Sequence, residues 1–132
     1  SCLLEKHLIT PTKKKLTPNQ LSTGLFAWKV VKHTKSNAIV VAKNNKIISI
    51  SGGQTSRVDA TKIAFEKTKI PKGCIVASDA FFPFKDSIEK MAQYNIAAII
   101  QPGGSIRDKE VVESCNKNKI AMAFTGFRVF KH

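Results

Sequence analysis

Long apolar runs are missing from this chain. No window of its 132 residues approaches 18 consecutive apolar positions, so no segment is expected to cross a membrane as a helix. Cysteine is scarce, and Cys2, Cys74 and Cys115 form an odd, scattered set without a CxxC pair. That excludes a disulfide framework and fits reduced thiols in a cytoplasmic protein. Cys74 sits in the apolar run Cys74-Ile75-Val76-Ala77 and reads as a small core residue rather than a nucleophile. The start has no apolar stretch followed by a small-residue cleavage site, so nothing there reads as a secretion signal. Internal repeats and low-complexity linkers are also absent, which favours one domain.

Acidic residues are few as well. Nine Asp and Glu stand against 22 Lys and Arg, for a formal net charge of +13. Such a balance suits nucleic acid, an anionic membrane surface, or small phosphorylated and carboxylated ligands, without choosing among them. The lysines are spread out except for the cluster Lys13-Lys14-Lys15, and no aromatics are interleaved there to stack on unpaired bases. A solvated, lysine-rich surface is the plain alternative.

What is present is enough apolar material, 42% of residues, for one compact core. Thr17 is a plausible N-cap, Pro18 suits the first helical position, and Gln20 completes a capping box. Leu21, Leu25, Trp28 and Val31/Lys32 then follow at helical spacing. Residues 38–42 read as a buried strand, Asn44-Asn45 as a turn, and 46–51 as the returning strand of a hairpin. A helix over 56–69, drawing apolar contacts from Val58, Ile63 and Phe65, follows Gly52-Gly53. Strand 74–77, helix 84–94, strand 96–100, helix 107–118 and strand 120–124 complete the chain. The order α-β-β-α-β-α-β-α-β predicts a mixed sheet with helices on both faces.

Ligands of open α/β sheets gather at strand C-termini and helix N-termini. Four glycine-bearing or polar segments fall at such places: 52–57, 78–86, 101–108 and 125–132. Singly, each reads equally well as a tight turn or a tail. Phe81, Phe82 and Phe84 could simply be core, but Pro83 forces a loop among them, and three aromatics on a loop suggest a flat aromatic ligand between rings.

These residues resemble the AICAR transformylase family. Phe26-Ala27-Trp28-Lys29-Val30-Val31-Lys32-His33-Thr34-Lys35-Ser36-Asn37-Ala38-Ile39-Val40 is similar to the family segment that carries a ligand-binding Asn. Ser56-Arg57-Val58-Asp59, Ser78-Asp79-Ala80-Phe81-Phe82-Pro83-Phe84, Gln101-Pro102-Gly103-Gly104-Ser105-Ile106-Arg107-Asp108 and Phe124-Thr125-Gly126-Phe127-Arg128-Val129-Phe130-Lys131-His132 match in the same order. The resemblance spans about residues 10–132 and reaches the family's own C-terminus. It implies a cytidine-deaminase-like three-layer α/β/α fold with a mixed sheet. Residues 1–16 would be an irregular lead-in from an upstream segment, and 17–132 the C-terminal subdomain of the transformylase domain.

The family transfers a formyl group from 10-formyltetrahydrofolate to AICAR in purine (IMP) biosynthesis. By resemblance, Asn37 stands at the reacting centre in a supporting role, Arg57 and Phe81 contact AICAR, Arg128 holds its phosphate, and Phe130 and His132 close the pocket. Val58, Phe84 and Asp86 match the positions that line the folate pocket. The resemblance further implies a cytoplasmic homodimer with a composite site, no transition metal, room for a monovalent cation, and neither nucleic acid nor membrane as partner. The family's catalytic Lys-His pair lies upstream; Lys32-His33 falls in a different motif and is not assigned to it. The cyclohydrolase domain is likewise outside this sequence, so the chain alone is expected to be inactive. A zinc deaminase of the same fold class is disfavoured by the lack of HxE and PCxxC ligand sets. A basic nucleic-acid-binding module is the alternative reading.

Overall fold

The structure, a computed structural model, describes residues 8–34, 36–53, 56–80, 82 and 85–126, with the backbone alone at Arg57 and Val58. Its elements are α1 (Pro18–Lys32), β1 (Ile39–Lys43), β2 (Lys46–Ser51), α2 (Arg57–Glu66), β3 (Ile75–Ser78), α3 (Lys85–Ala92), β4 (Ala98–Gln101), α4 (Asp108–Lys117) and β5 (Ala121–Phe124). One sheet runs in the order β2-β1-β3-β4-β5. β1 is antiparallel to both β2 and β3, while β3, β4 and β5 are mutually parallel. The fold is thus α/β with a mixed sheet, in the element order read from the sequence.

Local chemistry explains the boundaries. Gln20 N donates to Thr17 Oγ1 (3.1 Å) and Thr17 N to Gln20 Oε1 (2.9 Å), closing the capping box that starts α1. Asn44 and Asn45 both take positive φ (51° and 61°), as a two-residue hairpin turn between Lys43 and Lys46 requires. The turn is tied to α1, since Asn45 N donates to Thr23 Oγ1 at 3.1 Å. The β1–β2 register slips between Val41 and Ala42, and the extra residue, Ile48, packs against the core.

Alternate residues of each strand face opposite layers. On one side Val40, Ala42, Ala77, Ile100 and Ala123 meet Leu25, Ala27, Trp28 and Val31 of α1. On the other, Ile39, Val41, Val76, Ile99 and Met122 meet α2, α3 and α4. Within α2 the contacts come from Ala60, Ala64 and Phe65, whereas Ile63, expected in the core, is exposed. The small alanines let the helix lie close to β2, where Ser49 Oγ and Ser51 Oγ donate to the carbonyls of Ala64 and Ala60.

The stretch 8–16 contains neither helix nor strand, yet it is tied down. Ile9 and Phe124 exchange backbone hydrogen bonds (3.0 and 2.6 Å), and Thr12, fully buried, accepts from Met122 N through Oγ1 at 2.9 Å. The stretch therefore covers the open edge of β5, whose backbone groups would otherwise offer a template for pairing.

Candidate functional site

Strand register assembles one end of the sheet. Ile39, at the start of β1, lies opposite Ser51 and Ser78, the last residues of β2 and β3. Gln101, the last residue of β4, pairs with Phe124, the last of β5. Gly52-Gly53, Asn37, Asp79, Pro102-Gly103 and Thr125-Gly126 therefore follow one another along a single pole. With strands about 4.8 Å apart, that row is about 19 Å long. The helices α2, α3 and α4 all begin at this pole, presenting the positive ends of their dipoles. All four segments singled out in the sequence exit here.

The backbone at the pole is closely tied. Gly53 N donates to Ser36 O (2.9 Å), Ala38 N to Asp79 Oδ1 (3.2 Å), Thr125 N to Gln101 O (2.9 Å) and Gly126 N to Pro102 O (3.0 Å). Ser56 caps α2 by accepting from Asp59 N at 3.1 Å, which places the backbone of Arg57 and Val58 in the first turn. Asn37 adopts a left-handed conformation (φ 58°), a state that Asn tolerates better than most residues. Asp86 is exposed in the first turn of α3. Beside it a groove of about 490 Å³ runs between α2 and α3, lined by Thr61, Lys62, Phe65, Lys90 and Tyr94 among others. Phe65 and Tyr94 stack with ring centroids 4.7 Å apart.

Of the sequence-read site residues, the structure brings Asn37, Asp86 and the backbone of Arg57 and Val58 to one pole. Phe81, Phe84, Arg128, Phe130 and His132 lie outside the described residues. Phe82 is not a ring offered to a ligand: it is fully buried in the core on the α2–α3–α4 side of the sheet. Two polar side chains went unassigned in the sequence. Gln101, read there as the start of a loop, ends β4; it is fully buried, and its Oε1 accepts from Phe82 N at 3.2 Å. Asp79 carries the bond to Ala38 N. Both lie inside segments that resemble the family, but the resemblance gives neither a role, and a position at a strand end is the other signal each carries.

The two described cysteines, Cys74 and Cys115, are unsuited to nucleophilic work. Burial raises the Cys74 thiol above its ordinary range, only partly offset by the nearby Lys43. Cys115, deeper, is pushed up to about 12 by burial. Thiolate is the reactive form, so both are poor nucleophiles at neutral pH. Among the described residues, no three His, Cys, Asp or Glu gather in a way that could hold a metal ion. Among the same residues, no helix is long and apolar enough to cross a membrane.

Fold and pole together define an α/β domain whose strand-end loops and helix N-termini converge on one extended site. Comparison with known proteins gives the family. The AICARFT/IMPCHase bienzyme family matches residues 3–67. The chain is 54% identical to the bifunctional purine biosynthesis protein PurH of Aquifex aeolicus, over 98% of this chain and 26% of that protein. It is 50% identical to PurH of Persephonella marina over the same shares, and 57% identical to PurH of Acetivibrio thermocellus over 92% of this chain and 24% of that protein. The chain belongs to the AICARFT/IMPCHase bienzyme family. It spans about a quarter of the length of the curated relatives it matches.

Proposed function

We propose that this chain is the C-terminal subdomain of an AICAR transformylase and supplies substrate-binding residues for formyl transfer from 10-formyltetrahydrofolate to AICAR in purine biosynthesis. The observation that carries the reading is the convergence of the family-like segments on one pole of the sheet, with Asn37 and Asp86 both at it. The AICAR amine is conjugated with its ring and carboxamide and is a poor nucleophile. A productive site must take a proton from it, stabilise the developing oxyanion and align two substrates.

In this reading Asn37 hydrogen-bonds at the reacting centre, and Arg57 and Phe81 hold the base. Arg128 takes the phosphate through a planar fork suited to its oxygens. Phe130 and His132 close the nucleotide side. Val58, Phe84 and Asp86 line the folate side, with Asp86 accepting hydrogen bonds from ring nitrogens of the pterin. The exposed carboxylate of Asp86 beside an aromatic-lined groove supports that assignment. The proton-transferring Lys-His pair comes from the preceding subdomain, and the site is completed across a homodimer in the cytoplasm.

The test is calorimetry with AICAR together with a formyl-transfer assay, on the chain alone and on the full-length polypeptide. The full-length protein should turn over. The chain should bind AICAR weakly and turn over nothing. Turnover by the chain would remove the need for the upstream pair.

One observation favours the alternative of a nucleic-acid-binding module. At the pole opposite the site, the exposed Lys13, Lys14 and Lys15 are brought beside Lys117 and Lys119 by a bond from Lys13 N to Asn116 Oδ1 (2.9 Å). No aromatic platform accompanies them in sequence. Weak binding to random duplex DNA, lost by physiological salt, is therefore the expectation. Tight, sequence-selective binding would instead favour the module.

A further inference from the structure

The turn that carries Asn37 is held from both sides, and one of the two holds is a side chain. On the β2 side, Gly53 N donates to Ser36 O at 2.9 Å. On the β3 side, the antiparallel ladder runs Ala42–Ile75, Val41–Val76, Val40–Ala77, Ile39–Ser78. The next pair in that register is Ala38 with Asp79. There the ladder gives way: Asp79 N reaches Ala38 O only at 3.5 Å, while Ala38 N donates to the carboxylate, Asp79 Oδ1, at 3.2 Å. A side-chain oxygen thus serves the backbone N–H immediately after a residue in the left-handed region (Asn37, φ 58°). A side-chain oxygen can accept from a backbone N–H where the ladder partner no longer does, so it suits a position where the backbone leaves its regular path.

Asp79 also belongs to the segment that leads out of β3. Ser78 Oγ, fully buried, donates to Ala80 O at 2.7 Å, and Phe82 N is held by the buried Gln101 Oε1. The segment after β3 is therefore anchored to β4 through Gln101 and to the start of β1 through Asp79.

We propose that Asp79 is a positioning residue: its carboxylate fixes the Asn37 turn against the start of the segment that leaves β3, and so sets where Asn37 stands relative to the end of that strand. The inference rests on the formyl-transfer reading and deepens it by naming the group that places Asn37. Asp79 acts through the backbone of Ala38 and through the geometry of its neighbours. The role needs an acceptor oxygen and no negative charge at the reacting atoms. That separates a positioning role from a catalytic one, because Asp79→Asn keeps the acceptor and loses the charge, whereas Asp79→Ala loses both.

The experiment uses the full-length polypeptide containing this chain, with wild type, Asp79→Ala and Asp79→Asn compared in three measurements. Steady-state formyl transfer should show kcat reduced about tenfold to a hundredfold in Asp79→Ala, the range that small misplacements of reacting groups produce. Asp79→Asn should stay within about threefold of wild type, and the KM for 10-formyltetrahydrofolate should change little in either. Hydrogen exchange at the Ala38 amide should speed up in Asp79→Ala and not in Asp79→Asn. Thermal melting, measured in parallel, separates loss of folded protein from loss of rate per folded molecule.

An Asp79→Ala variant with unchanged kcat, or with a lowered melting point as its only defect, overturns the proposal. So does an Asp79→Asn variant as slow as Asp79→Ala, since the charge itself would then matter at the reacting atoms. An inactive wild type sinks the formyl-transfer reading. An active wild type with an unaffected Asp79→Ala sinks the positioning role alone.

Discussion

Thr12 Oγ1 accepts the backbone N–H of Met122 at 2.9 Å, joining two residues 110 positions apart. The same hydroxyl donates to Lys14 O at 2.7 Å, so it both gives and accepts a bond in a fully buried position. Together with the Ile9–Phe124 bridge, this makes the entering segment a substitute for a sixth strand along β5. β5 leads directly to Thr125 and Gly126 at the candidate site. The entering segment thus steadies the strand that leads to one end of the site.

Replacing Thr12 with Val keeps the shape and removes the oxygen. The N–H of Met122 would then be buried without an acceptor, which costs about 1–3 kcal/mol. Urea unfolding should show a lowered midpoint with an unchanged slope, and Thr12→Ser should recover most of the loss. An unaffected midpoint in Thr12→Val would mean that water replaces the hydroxyl and that the edge is not sealed there.

Much of this arrangement could be read in the sequence, and the parts that could not share a cause. The capping box at Thr17, the Asn44-Asn45 turn and the alternation of helical and strand periods are local signals, so element order and type followed from them. The gathering of Gly52-Gly53, Asp79, Gln101 and Thr125 at one pole followed from the rule for strand ends in α/β sheets. Adjacency of β1 and β3 is a long-range choice with no local mark. The Asp79–Ala38 bond, which depends on it, was therefore invisible. Phe82 and Ile63 were misjudged because a ring in a loop and an isoleucine in a helix carry no sign of which side they face. Residues 8–16 lack periodicity because they are held by the Ile9–Phe124 backbone bonds, the Thr12 hydroxyl, the Lys13–Asn116 bond and the isolated apolar contacts of Leu8 and Leu16 rather than by a regular apolar stripe.

Gly103 should tolerate no side chain. Its φ is 77°, and a Cβ there would stand 2.8 Å from Cγ of the Phe124 ring, an atom that cannot swing aside. Conformational strain of about 1–2 kcal/mol adds to overpacking of about 1–3 kcal/mol. Gly126 has a similar φ of 73° but, among the described residues, no atom within 4 Å of such a Cβ, so it serves as the comparison for the conformational part. Gly103→Ala should therefore lose more stability than Gly126→Ala in the same denaturant series. Equal losses would show that the ring gives way.

Alkaline pH should weaken the fold through Cys115. Burial raises its thiol from 9.0 to about 12, so the folded state keeps a proton that the unfolded state releases. The stabilisation is fully present below pH 9, is lost as pH rises toward 12, and leaves neutral pH untouched. Between those limits the unfolding free energy should fall by up to about 1.4 kcal/mol per pH unit from this group. The readout is the difference from Cys115→Ala, in which every group common to the two proteins cancels. That variant starts lower because of the cavity but should fall less steeply between pH 9 and 10.5. Parallel pH profiles would show that the thiol is not the group responsible.

Asp86 distinguishes the two sides of the proposed site. In the first turn of α3 its carboxylate meets the positive end of the helix dipole, and its loss should cost the fold only about 0.3–1 kcal/mol. As an acceptor for pterin ring nitrogens it matters far more, because a hydrogen bond to a charged group contributes about 1.5–3 kcal/mol. Asp86→Asn keeps the size of the side chain but turns an NH2 toward groups that themselves donate. In the full-length enzyme it should raise the KM for 10-formyltetrahydrofolate by about tenfold to a hundredfold. The KM for AICAR should stay within about twofold and the melting point within a few degrees. A rise in the AICAR constant of the same size would place Asp86 on the nucleotide side instead. If neither constant moves, the carboxylate is an ordinary helix-start residue, and the folate pocket has to be sought away from the α2–α3 groove.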